Sequence, residues 1–182
     1  MLIIADSGST KTDWFVVKNN EIIRTFRSQG INPLHQDAHE IRRTLNEEVL
    51  GKMSEDILLP NLKIAFYGSG CTVEKIPVMQ QILADKFSLP LQNVEVAGDL
   101  LGAARAVCGH ESGIACILGT GANSCLYDGK DITSNIPPLG YILGDEGSGA
   151  VLGKRFMNGI FKGWIPERIK TMYLEETNQT YS

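Results

Sequence analysis

The chain has 182 residues, 43% hydrophobic and 21% charged, and its 17 Lys and Arg against 21 Asp and Glu give a net charge of −4. That length suits one medium domain or two small ones, and an acidic chain with no basic run is a poor nucleic-acid binder. No stretch approaches the roughly 18 apolar residues of a membrane span, and the start MLIIADSG lacks the basic lead and apolar length of a secretory leader, so a cytoplasmic protein is expected.

Residues 2–5 read as a short buried strand, 13–18 as a second and 21–27 as a third, with Asn19-Asn20 turning between the last two. Gly30-Ile31-Asn32-Pro33 is a loop. Helical spacing follows from His35 to Leu50, with Ile41, Leu45, Val49 and Leu50 on one face. Strand 62–67 ends at Gly68-Ser69-Gly70-Cys71. Residues 73–87 read as a helix with Val78, Ile82 and Leu83 inward, and 94–97 as a strand ending at Gly98-Asp99. A small-residue helix over 100–107, suited to close packing on a sheet, completes the order βββ-α-β-α-β-α.

The pattern then restarts. Strand 114–118 leads into Gly119-Thr120-Gly121-Ala122-Asn123, strand 124–127 and an Asp128-Gly129 turn. Pro137-Pro138 interrupts the chain, a glycine-dense stretch runs from Gly140 to Gly153, and a helix is predicted from about Ala150 to Phe161. From Trp164 onward the chain is polar and helical in part. The unit of strand, Gly/Thr loop, strand and turn thus occurs twice, which predicts two similar domains, 1–111 and 112–182, with the two loops facing across a cleft. Trp14 reads as core, and Cys116 and Cys125, in apolar strand runs, as buried thiols. Neither the four cysteines nor His35, His39 and His110 show metal-ligand spacing.

Several residues carry chemistry. Gly8-Ser9-Thr10-Lys11-Thr12 sits between two strands, where backbone N–H groups and hydroxyls can cradle phosphate oxygens and Lys11 adds a charge. Asp6, just before it, suits Mg²⁺ rather than phosphate. A plain hairpin with satisfied polar groups would account for the same residues. The P-loop and dinucleotide patterns both fail: Arg155 follows Gly153-Lys154, and Ser124 stands where the last glycine after Gly119-Thr120-Gly121 would be. Asp99, at a strand tip, is either a helix N-cap or a proton acceptor. Gly144-Asp145-Glu146-Gly147-Ser148-Gly149 either lets a ligand approach the backbone or caps the next helix with an acid.

The motif Asp6-x-Gly8-x-Thr10-Lys11-Thr12, with Gly119-Thr120-Gly121 after a later strand, resembles the two phosphate motifs of the sugar kinase, Hsp70 and actin superfamily. With Gly144-Asp145-Glu146-Gly147-Ser148 added, residues 2 to about 160 resemble the N-acetylglucosamine kinase and BadF/BadG ATPase family. The resemblance implies an α/β, ribonuclease H-like (actin-like ATPase) domain of mixed sheet with flanking helices, followed by the beginning of a second similar domain. It implies ATP phosphates on Gly8, Ser9, Thr10, Lys11, Gly119, Thr120 and Gly121, and Mg²⁺ at Asp6. It makes Asp99 the catalytic base, and places N-acetylglucosamine or a related amino sugar on Asn32, Asp99, Gly144 and Asp145. Gly68 to Cys71 is carried as a wall of the sugar site. Partners are then a small amino sugar and a nucleotide, with no nucleic acid or membrane, and a homodimer is left open. Family members continue past this point into an adenosine pocket, so a truncated, weakly active form is expected. Two alternatives remain. One is an ATPase activator of a radical dehydratase, with Cys71 or Cys108 exposed for an iron–sulfur cluster. The other is a non-catalytic sugar-binding protein.

Overall fold

The structure, a computed structural model, describes residues 1–53 and 61–177. Strands β1 (Leu2–Ser7), β2 (Lys11–Lys18) and β3 (Glu21–Gln29) form an antiparallel meander. The β2–β3 turn uses Asn19 and Asn20 at φ 52° and 64°, the left-handed pair that a tight hairpin turn requires. β1 also pairs in parallel with β4 (Lys63–Gly68), and β4 with β5 (Val94–Gly98), giving the sheet order β3-β2-β1-β4-β5. Parallel neighbours need crossovers, and helices supply them.

The first crossover starts at Asp37, which forms a capping box with Glu40 and opens α1 (Ala38–Thr44). The helix loosens into a π turn at Leu45–Val49 and a 3₁₀ turn at Leu50–Lys52. Ile41, Leu45 and Val49 are buried, and Leu50 packs at the edge of the core. Helix α2 (Ile76–Phe87) begins later than its apolar pattern predicts, with Pro77 in its first turn. Its buried stripe is Met79, Ile82, Leu83 and Phe87; Val78, predicted inward, is half exposed because the stripe centres one residue further on. Helix α3 (Asp99–Cys108) packs closely on the sheet: a Cβ on Gly102 would lie 2.7 Å from the Tyr67 ring.

At the centre, alternation along β2 buries Thr12, Trp14 and Val16. Trp14 stacks on Phe26 at 6.0 Å between centroids and tilts against Phe66 at 6.1 Å. Its indole N–H donates to Ser28 Oγ at 2.9 Å, so this buried ring leaves no polar atom unpaired.

The chain divides into two compact units, Met1–Ala115 with Cys125–Asn135, and Cys116–Ser124 with Ile136 onward. A three-stranded sheet has the order β6-β7-β8, from β6 (Gly113–Leu118), β7 (Ala122–Tyr127) and β8 (Ile132–Ile136). The β7–β8 turn is held by Asp128 Oδ1, which accepts from the N–H groups of Lys130 and Asp131 at 2.8 Å each. Along β6, alternation buries Ala115 and turns Cys116 out, so Cys116 is exposed rather than buried; Cys125 is buried as expected. Helices α4 (Gly140–Leu143), α5 (Gly149–Phe161) and α6 (Glu167–Thr177) follow. Residues 178–182 of the polar tail lie outside the described residues. Among the described residues no helix is long and apolar enough to cross a membrane.

Candidate active site

In the first unit the sheet register brings the chemistry together. β1, β4 and β5 run parallel, with Asp6 opposite Tyr67, Ser7 opposite Gly68, and Gly68 opposite Gly98. β3 runs the same way as β1 because each is antiparallel to β2, and its last residue Gln29 sits opposite Lys11. Four strand ends therefore share one sheet edge, where an open α/β sheet offers its ligand crevice. They deliver Asp6 and the Gly8 loop, Gly30-Ile31-Asn32, Gly68 to Cys71, and Asp99.

The opening loop has two classes of hydroxyl. Ser7 and Thr12 are fully buried and bond each other at 2.7 Å. Ser7 Oγ also accepts from Ile31 N–H at 3.0 Å and lies 2.9 Å from Ile31 O, and Thr12 Oγ1 lies 3.1 Å from Gln29 O, so the two hydroxyl protons serve two of these three oxygen–oxygen contacts at a time. These two side chains are structural. Ser9 and Thr10 are exposed at the loop tip and remain available to a ligand. Gly8 N–H donates to Lys11 O at 3.0 Å, closing the turn. Lys11 Nζ lies 2.6 Å from Asp13 Oδ2, so an arriving phosphate would compete with Asp13 for it.

Asp6 is exposed and its carboxylate accepts no hydrogen bond from the described residues; partial desolvation and the neighbouring Asp13 charge raise its pKa, opposed by Lys11. Asp99 is half-buried, and burial pushes its pKa up, with a further push from Asp6 and an opposing pull from Leu100 N–H, which donates to Asp99 Oδ1 at 2.9 Å. Asp99 is the first residue of α3 rather than its N-cap; Gly98 holds that position. Asn32 is buried at the start of its loop, with its side chain against Gly70. The Cys71 thiol is buried, and desolvation followed by the Asp99 charge pushes its pKa up to about 12. Cys71 is thus a protonated packing group, not the exposed thiolate that a cluster ligand at this position would be.

In the second unit the loop Gly119-Thr120-Gly121 rests on the start of α5. Gly149 N–H donates to Gly119 O at 2.8 Å and Ala150 N–H to Thr120 O at 3.3 Å. Asp145, at φ 59°, accepts from Ala122 N–H at 3.4 Å, and a Cβ on Gly121 would lie 3.2 Å from its Oδ2. Gly144 must be glycine, since a Cβ there would collide with Pro138 O. Neither acid of this segment caps α5: the cap is Ser148, whose Oγ accepts from Val151 N–H at 3.1 Å.

Neither a family model nor a curated protein matches the sequence. Among solved structures, a protein of Porphyromonas gingivalis described as a "putative N-acetylglucosamine kinase" is 49% identical, with a TM-score of 0.93 over 99% of this chain. The ROK hexokinase of Thermus thermophilus, 17% identical, reaches a TM-score of 0.58, covering 97% of this chain and 68% of its own. MreB5 of Spiroplasma citri, 14% identical, reaches 0.51 over 74% of this chain and 51% of its own. The fold is that of the sugar kinases and actin-like ATPases. The resemblance drawn from the motifs is borne out, and so is the mixed-sheet fold it implied. This chain spans 63% of the length of the P. gingivalis protein.

Motif reading passed over Gln36 and gave Gly70 only a wall's role; both contact Asn32. It also grouped Thr12 with Ser9 and Thr10 in the phosphate cradle and did not single out Ser7. Strand parity carries the missing signal: Ser7 continues the inward series Ile3 and Ala5, and Thr12 begins the series of Trp14 and Val16.

Proposed function

We propose that the protein is an ATP-dependent sugar kinase that phosphorylates a hydroxyl of N-acetylglucosamine or a related amino sugar. The supporting observation is the meeting of Asp6, Asn32 and Asp99 at one sheet edge, in a chain 49% identical to a protein carrying that name. Asn32 and Asp99, both of the first unit, hold the sugar. Gly8, Ser9, Thr10 and Lys11, and likewise Gly119, Thr120 and Gly121, bind phosphate oxygens.

Asp99 accepts the proton of the attacking hydroxyl while the new O–P bond forms and the bond from the γ-phosphorus to the bridging oxygen breaks, releasing ADP. Desolvation makes its carboxylate a stronger base than a solvated one, which suits this role. Asp6 fits Mg²⁺: a single exposed carboxylate with no protein donor on it is the donor set that this ion takes alongside phosphates. Held there, Mg²⁺ would neutralise charge on the nucleotide phosphates.

Calorimetric titration with N-acetylglucosamine, glucose and N-acetylmuramic acid tests the sugar assignment, and an ADP-release assay with ATP and the same sugars tests the reaction. The expected result is selective binding of an amino sugar, with Asp99→Asn lowering any turnover by at least about 100-fold. A folded chain that binds none of the sugars would overturn the reading.

A further inference from the structure

Asn32 is held from three sides within the first unit. Its backbone N–H donates to Gln36 Oε1 at 2.8 Å, and Gln36 Nε2 in turn donates to Gly30 O at 3.1 Å. Its side-chain Oδ1 accepts from Leu34 N–H at 2.9 Å, which fixes the amide plane. Gly70 closes the third side from the loop after β4. It has φ 79°, and a Cβ there would collide with Asn32 Oδ1 and stand 2.8 Å from Cγ and 3.2 Å from Nδ2. The three nearest atoms to that Cβ all belong to Asn32, so the only thing a side chain at 70 would displace first is this amide. Oδ1 is thus turned into the protein, while Nδ2 donates to no described residue.

We infer that Gly70 is a positioning residue that fixes the Asn32 amide as a hydrogen-bond donor, on a backbone that Gln36 pins, so that this corner of the site selects an acceptor oxygen of the ligand. The inference rests on the sugar-kinase reading and sharpens it: the group recognised by Asn32 is a hydroxyl lone pair or acetamido carbonyl, not a donor. Gly70 contributes by having no side chain. Its left-handed φ and the amide behind it both exclude a Cβ.

The test combines two measurements on the 182-residue chain. The first is a double-mutant cycle of Gly70→Ala and Asn32→Ala in urea unfolding, without sugar. Gly70→Ala should cost markedly more when Asn32 is present than in the Asn32→Ala background, where only the strain of φ remains. Equal cost in both backgrounds overturns the positioning role. The second is N-acetylglucosamine titration of Asn32→Asp, which keeps an oxygen for Leu34 N–H but removes both N–H donors. Affinity should fall about tenfold or more under conditions where the variant is folded. Gly70→Ala should lose a comparable factor, and Gly70→Ala in the Asn32→Ala background less than about threefold beyond Asn32→Ala itself. Full affinity in Asn32→Asp overturns the donor role and leaves the kinase reading standing. Absence of sugar binding in the unaltered chain overturns the kinase reading, and the donor role with it, even where the unfolding cycle shows coupling.

Discussion

The two Gly/Thr loops look alike in sequence and are built differently. The Gly8 loop is anchored from below by buried side chains: Ser7 and Thr12 tie it to Gln29 and Ile31, and Gly30 presses against its backbone. The Gly119 loop rests on α5 through its backbone, with its carbonyls on the first N–H groups of that helix, and one long bond joins Ala122 N–H to the Asp145 carboxylate. A loop held by a buried hydroxyl web has few ways to move. A loop held by two carbonyls and a carboxylate can shift with the helix on which it rests. The amides at the start of α5 are also partly consumed by that contact, so they are not a free anion site of the kind a helix N-terminus often supplies.

The sharpest way to break this comparison is to add a methyl group to each. In Gly30→Ala the new Cβ would stand 2.6 Å from Gly8 O, 2.7 Å from Ser9 O and 2.8 Å from Ser9 C, all backbone atoms that cannot swing aside. We expect a loss of about 3 kcal/mol in urea unfolding, at the upper end of overpacking costs. In Gly119→Ala the nearest atom is Gly121 O at 4.0 Å, so stability should stay within about 0.5 kcal/mol. Equal losses would mean that both loops are equally locked.

Two of the buried serines, Ser7 and Ser148, give a smaller contrast. Ser7→Ala leaves the buried Ile31 N–H without its acceptor and Thr12 without its partner, and should cost about 1–3 kcal/mol. Ser148→Ala removes one helix cap and should cost about 1 kcal/mol. If Ser148→Ala proves the costlier in urea unfolding, the second loop's footing on α5 is the tighter of the two.

The same contrast explains what could be read before the structure. β1 to β5 announce themselves through local signals: apolar runs, an Asn-Asn turn, glycines after strands. Asp6, Asn32 and Asp99 were legible as candidates because each closes a strand or opens the loop after one, and strands that run in the same direction carry their ends to a common edge. β8 was not read because Ile132–Ile136 has only two apolar residues and is exposed almost throughout, so no burial pattern marks it. Val78 and Cys116 were misplaced for a related reason: an apolar residue in an apolar run need not face inward, and only the phase of the neighbours decides. The contact of Gly70 with Asn32 joins two loops far apart in sequence, and a glycine carries no label saying which side chain needs its space.

The smallest effect on stability, and the one most closely tied to function, concerns Asp99. Its raised pKa means that the folded chain holds the Asp99 proton more tightly than the unfolded chain does. Below the ordinary carboxylate pKa of about 4 both states are protonated and Asp99 contributes its full share of stability. As the pH rises through the raised value, the folded state must ionise a desolvated group beside Asp6, and that share is lost. Asp99→Asn keeps an acceptor for Leu100 N–H and never ionises. It should therefore melt above the unaltered chain at neutral pH, with the difference closing as the pH falls through the carboxylate range. Asp13 provides the opposite sign: Lys11 and Arg27 hold its pKa down, so any stability it adds is present at neutral pH and fades on acidification. That contribution is small, because these partners are exposed. A melting difference for Asp99→Asn that does not change with pH would mean that desolvation does not set the basicity of this carboxylate. The sheet edge at β5 would then be a wet surface, and its base would have to gain its strength from the bound ligand.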